Sequence, residues 1–185
     1  MPSHRVLIEL TRRYCEPHRH YHTIEHIASM LRHGRGLGLS EEQWLAIWFH
    51  DAVYEVPGPD NEERSAELAV QLLSAEGYPA DKILLVERMV LDTKAHQPTT
   101  EESALVIDLD LAPLGVPWEQ FAENWRNLEL EYEPLPREQI ERGRKTFLEG
   151  LLARQQIYST EWGAQWETQA RNNARQSLEL AARQG

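Results

Sequence analysis

Over its 185 residues the chain has no stretch that alternates apolar and polar residues with period two over a useful length. Apolar residues recur instead at helical spacing almost from end to end, which selects helices over strands. Val6, Leu7, Leu10 and Tyr14 mark a first helix over 3–15. Ile24, Ile27, Met30 and Leu31 mark a second, from about Thr23 to Arg32, ended by Gly34, Gly36 and Gly38. Ser40 and Gln43 have capping-box spacing and open a third that continues through Tyr54 and stops before Pro57. Further helices are expected over Asn61–Ala75, Ala80–Lys94, from Thr100 through Ala112, from Pro117 through Tyr132, from Pro136 to about Gln155, and over Ala164–Arg183. There is no internal repeat and no linker. The fold class expected is all-α: one irregular helical bundle, a single domain over 1–185.

Charge narrows the partners. Nineteen Lys and Arg against thirty Asp and Glu leave a net charge of −11. Such a surface argues against nucleic-acid polymers and anionic membranes. An anionic substrate would need a local positive charge, such as a metal ion or a few arginines. A mean hydropathy of −0.58 and the lack of a long apolar run argue against a membrane span. No charged start followed by an apolar stretch suggests a secretion signal. Cys15 is the single cysteine, so no internal disulfide is expected, and a cytoplasmic location is the expectation.

All eight histidines fall at or before position 96. The third helix places His50 and Asp51 among Trp44, Leu45, Ala46, Ile47, Trp48, Phe49, Ala52 and Val53. A helix apolar on nearly every side is buried, and a buried carboxylate needs a cation or strong donors. A His–Asp pair bonded only to neighbouring helices satisfies the same demand. His22 and His26 stand four apart and can address one pocket. Asp108 and Asp110 interrupt a third apolar run. Residues two apart on a helix point about 200° apart, so only one of them is expected in a shared pocket. The other should cap a neighbouring helix or pair with an arginine. Imidazoles and carboxylates without cysteine suit Mn, Fe, Co, Ni or Zn better than Mg. Such an ion activates water and polarises a phosphoryl oxygen.

The order His26, His50-Asp51, Asp110 resembles the HD-domain superfamily of metal-dependent phosphohydrolases. Tyr21-His22-Thr23-x-x-His26 is similar to a stretch of its cyclic-nucleotide phosphodiesterase branch. Phe49-His50-Asp51-Ala52-Val53-Tyr54, then Asn61-Glu62-Glu63-Arg64-Ser65-Ala66, resembles a small bacterial subfamily of these proteins. Thr93-Lys94-x-His96, Asp108-x-Asp110-Leu111, Ile157-Tyr158 and Ala170-Arg171-x-Asn173 look like the same subfamily, so the likeness covers roughly 14–175. It implies a helical bundle of the HD-domain type that hydrolyses a phosphate ester or anhydride, with a small phosphorylated substrate, a nucleotide among the options. It implies His26, His50, Asp51 and Asp110 as metal ligands and His22 as proton donor to the leaving oxygen. A second metal is not expected, since His96 is the one histidine between His50-Asp51 and Asp110.

Near these positions Glu62 is read as a water-orienting carboxylate, Arg64 as a phosphate clamp, and Lys94 and His96 as substrate contacts. Arg19 is a further phosphate contact in the sharp reading and a solvated side chain in the bland one. The pairs Trp44/Trp48 and Trp162/Trp166 have the spacing of helix packing. Two rival functions use the same residues. His22-Thr23-Ile24-Glu25-His26 matches the H-x-x-E-H zinc-peptidase motif, with Glu25 as base. Alternatively, the pocket binds a metal or nucleotide without turnover.

Overall fold

In the computed structural model, which describes residues 2–183, the chain is all-helical. Helices α1 (His4–Tyr14), α2 (Ile24–Gly34), α3 (Glu41–Phe49), α4 (Asn61–Ala75), α5 (Ala80–Thr93) and α6 (Glu101–Leu111) form the first half. A 3-10 turn at Ala112–Leu114 leads to α7 (Trp118–Glu131), α8 (Arg137–Ala153), the short α9 (Glu161–Ala164) and α10 (Glu167–Ala182). Side-chain oxygens set several starts. Ser3, Thr23, Thr100 and Thr160 each accept a backbone N–H in the first turn of the helix they precede. The Ser40–Gln43 capping box forms both of its bonds. No helix among the described residues is long and apolar enough to cross a membrane.

Two apolar cores share α6. Val106 and Leu109 pack into the larger one with Leu10, Ile27, Met30, Leu45, Phe49, Leu73 and Met89. Ile107 and Leu111 pack into the smaller one with Leu151, Ile157, Tyr158 and Ala170. A helix buried between two cores must be apolar on all sides, which is why α6 shows little amphipathic pattern. Its two aspartates therefore sit where charge has to be matched. Trp44 and Trp48 pack against the larger core, their ring centroids 5.6 Å apart.

Two expected boundaries move. The third helix ends at Phe49, with His50 as its C-cap. The buried Arg19 draws the chain out of the helix there: its guanidinium donates to the carbonyls of Asp51 at 2.8 Å and Ala52 at 3.2 Å. Ser65 accepts the Val53 N–H at 3.0 Å. The helix expected over Ala164–Arg183 is α10, which begins at Glu167; the short α9 before it, at Glu161–Ala164, was not expected.

Candidate metal centre

Three segments meet at one point. The end of α3 supplies His50 and Asp51, the first turn of α2 supplies His26, and the last turn of α6 supplies Asp110. His26, His50 and Asp51 offer ligand atoms that lie within 4.8 Å of one another, a cluster that could hold a metal ion. Asp110 Oδ1 joins it, 3.0 Å from His26 Nε2 and 3.5 Å from His50 Nε2.

The state of His50 tests whether the cluster fits a cation. Its Nδ1 is 2.9 Å from the Ile47 carbonyl, so that nitrogen carries the proton it donates. Its Nε2 is buried and without a hydrogen-bond partner, although Asp51 Oδ2 stands only 2.9 Å away. A ring nitrogen and a carboxylate oxygen that are close but not aligned on each other stand as two ligands of one cation would. A backbone bond on the remote nitrogen is the usual way a ligating imidazole is fixed. The electrostatics show the same demand for positive charge at this point. Burial pushes the His50 imidazole down, but Asp51 and Asp110 outweigh it and hold the pKa well above the ordinary value. Burial pushes both carboxyls up, and the histidines pull them below the usual range, His50 and His22 acting on Asp51, His26 and His50 on Asp110.

Asp108 points elsewhere. Its carboxylate accepts the N–H groups of Ser159 at 2.8 Å and Thr160 at 2.7 Å, and the Thr160 hydroxyl at 2.6 Å. It thus fixes the start of α9, while Asp110 faces the histidines.

His22 lies just before α2, with its ring stacked on Tyr54 at 4.1 Å. Its Nε2 is 3.9 Å from Asp51 Oδ2, and its Nδ1 is 2.6 Å from Glu131 Oε2. The other Glu131 oxygen accepts the backbone N–H groups of His20, Tyr21 and His22 at 2.7, 2.7 and 2.9 Å. Burial pushes the Glu131 carboxyl up, but the His22 ring and these N–H groups bring it down to about 2. His22 is raised: burial pushes it down, and Asp51 first, then Glu131, push it up.

His96 is also brought in, its Nε2 3.3 Å from Asp110 Oδ2. It holds a left-handed backbone, φ 46°, costly for a non-glycine residue. Arg154 fixes that turn by donating to the carbonyls of His96 at 2.6 Å and Ala95 at 2.8 Å. Asp92 accepts from Thr99 and closes the same loop.

His22, Asp51, Glu62, His96 and Asp110 all line one cavity of about 460 Å³, whose far walls come from α7 and α8. Glu62 is half-buried, and burial, then Asp51, raise its pKa. Arg64 and Lys94 do not reach the cavity. Arg64 forms a two-pronged pair with Glu55 at 2.9 and 3.0 Å. Lys94 binds Glu63 at 2.5 Å and the Pro59 carbonyl at 2.6 Å. Both side chains pair with carboxylates outside the cavity instead of facing it. Arg19 is neither a phosphate contact nor solvated: it is buried and ties the His22 carbonyl, at 3.1 Å, to those of Asp51 and Ala52. Glu25 is exposed and does not line the cavity, so the peptidase reading lacks its base.

Sequence reasoning missed Glu131. In Leu128-Glu129-Leu130-Glu131 it looks like any solvated helix acid. Trp125, outside the two tryptophan pairs read as packing, lines the cavity. No family model matches the chain, and no curated protein or solved structure matches it significantly.

Proposed function

We propose that the protein is a metal-dependent hydrolase, its ion held by His26, His50, Asp51 and Asp110. More narrowly, we read it as a phosphohydrolase of the HD type, with a divalent transition metal among Mn, Fe, Co, Ni and Zn. The observation that carries this reading is the unpartnered, buried His50 Nε2, set close to Asp51 and Asp110 beside an open cavity. A bound divalent ion supplies an activated water and a Lewis acid for the phosphoryl oxygens.

The chain's own residues do the rest. Glu131 fixes the His22 ring through Nδ1, which leaves Nε2 facing the cavity side of Asp51 as proton donor to the leaving oxygen. Glu62 and His96 flank the same space and orient water and substrate oxygens. Arg19 holds the backbone of His22 and Asp51 at a fixed separation.

The test is phosphate release from a panel of phosphoesters by protein reconstituted separately with each metal, beside His26→Ala and Asp51→Ala. Turnover in the wild type that both variants lose is the expected result. Metal binding with no turnover on any ester would favour a non-catalytic binding module.

A further inference from the structure

The cavity holds His22, Asp51 and Asp110 beside a mostly apolar wall. Leu114, Phe121, Trp125, Leu128 and Phe147 belong to that wall, with polar side chains such as Asn124 and Gln139 set among them. The Phe121 and Trp125 rings stack, 26° between planes and 6.2 Å between centroids. Phe121 is buried and Arg144 lies over Trp125, so the two stiffen one apolar wall rather than offer a bare ring face. Such a wall favours an apolar group.

Charge excludes the alternative of a phosphate-rich ligand. Four carboxylates line the cavity: Asp51, Glu62, Asp110 and Glu129. Among the described residues Arg144 is the one lysine or arginine in that lining. Each of its three nitrogens already has a partner, Ser177 Oγ at 3.0 and 2.6 Å and Glu129 at 3.2 Å, and its guanidinium lies over Trp125 at 4.6 Å. A second or third phosphate would meet carboxylates and no free cation.

We propose, resting on the phosphohydrolase reading above, that the substrate is a phosphomonoester whose alcohol part is apolar and seats against the wall of Leu114, Phe121, Trp125, Leu128 and Phe147. Water adds to phosphorus and the bond from phosphorus to the alcohol oxygen breaks. The electron pair stays on that oxygen, which takes a proton from His22, and the proton that the attacking water gives up restores His22. Inorganic phosphate and the apolar alcohol leave.

Gly143 on α8 gives a clean test, because it lines the cavity and a Cβ there meets nothing within 4 Å. Gly150, on the same helix and equally unobstructed, is outside the lining and serves as control. With Mn-loaded protein, kcat/KM for 1-naphthyl phosphate should exceed that for ethyl phosphate, AMP and ATP at least tenfold. Calorimetry should show the inert 1-naphthylmethylphosphonate binding at least tenfold tighter than methylphosphonate. Gly143→Leu should cut that advantage at least tenfold, and Gly150→Leu should keep it. Equal binding of the two phosphonates, or a preference for ATP or AMP, overturns the proposal while leaving hydrolysis intact. Selective binding of the naphthyl compound with no ester hydrolysed would sink the phosphohydrolase reading and keep the apolar seat.

Discussion

Glu131 Oε2 stands 2.6 Å from His22 Nδ1 across 109 residues of sequence. The last residue of α7 thereby orients a ring on the far side of the cavity, next to Asp51. Neutralising Glu131 should disturb that ring without touching the ligand cluster. Glu131→Gln should lower kcat about tenfold or more, and His22→Ala by roughly 10²- to 10⁴-fold, with metal content unchanged in both. Loss of metal in His22→Ala would make His22 a ligand instead.

The same carboxylate sets a pH dependence of stability. Its pKa falls from 4.5 to about 2 on folding. A depressed acid stabilises the fold above its unfolded pKa, and that contribution disappears as pH drops through the folded one. Between pH 4.5 and 2 the wild type should therefore lose more stability than Glu131→Gln. Thermal melts across that window check it; parallel curves would contradict it.

Arg19 should matter for stability far more than a surface arginine. Its side chain is 0% exposed and serves three carbonyls around the site. Arg19→Leu leaves those acceptors without donors, costing about 3 kcal/mol, or roughly 6–12 °C in Tm for a chain of this size. Arg19→Lys should recover little, since an ammonium lacks the planar fork. An unchanged Tm would show that water replaces it.

Asp108 and Asp110 should separate cleanly. Asp108→Asn weakens the anchor at Ser159 and Thr160, so it should lower Tm by a few degrees and keep the metal. Asp110→Asn should lose most of the metal. Metal analysis and melts of the two variants side by side decide, and the opposite pattern would exchange their roles.

The all-helical architecture was legible because helical periodicity runs through nearly the whole chain. His50 and Asp51 stood out for a different reason: like Asp108 and Asp110, they stand where apolar neighbours make charge expensive. Which of the two aspartates faces the histidines was not legible from that pattern and rested on the family resemblance. Glu131 and Arg19 gave no such signal. Both sit in polar stretches, and their burial comes from the end of α7 meeting residues 20–22 and from the turn after α3. The pairing of Arg64 and Lys94 outside the cavity was not legible, because nearness in sequence to the candidate cluster says nothing of which carboxylate meets each side chain. The end of α3 was misplaced because the apolar pattern continues past Phe49, whereas the helix yields there to Arg19 and Ser65.

The most direct test of the metal centre is elemental analysis of protein purified without chelator, beside Asp51→Ala and a melt confirming that the variant folds. The account predicts about one divalent transition-metal ion per chain in the wild type and almost none in the variant. A wild type that takes up no metal, even when titrated with Mn, Fe, Co, Ni and Zn, would contradict it.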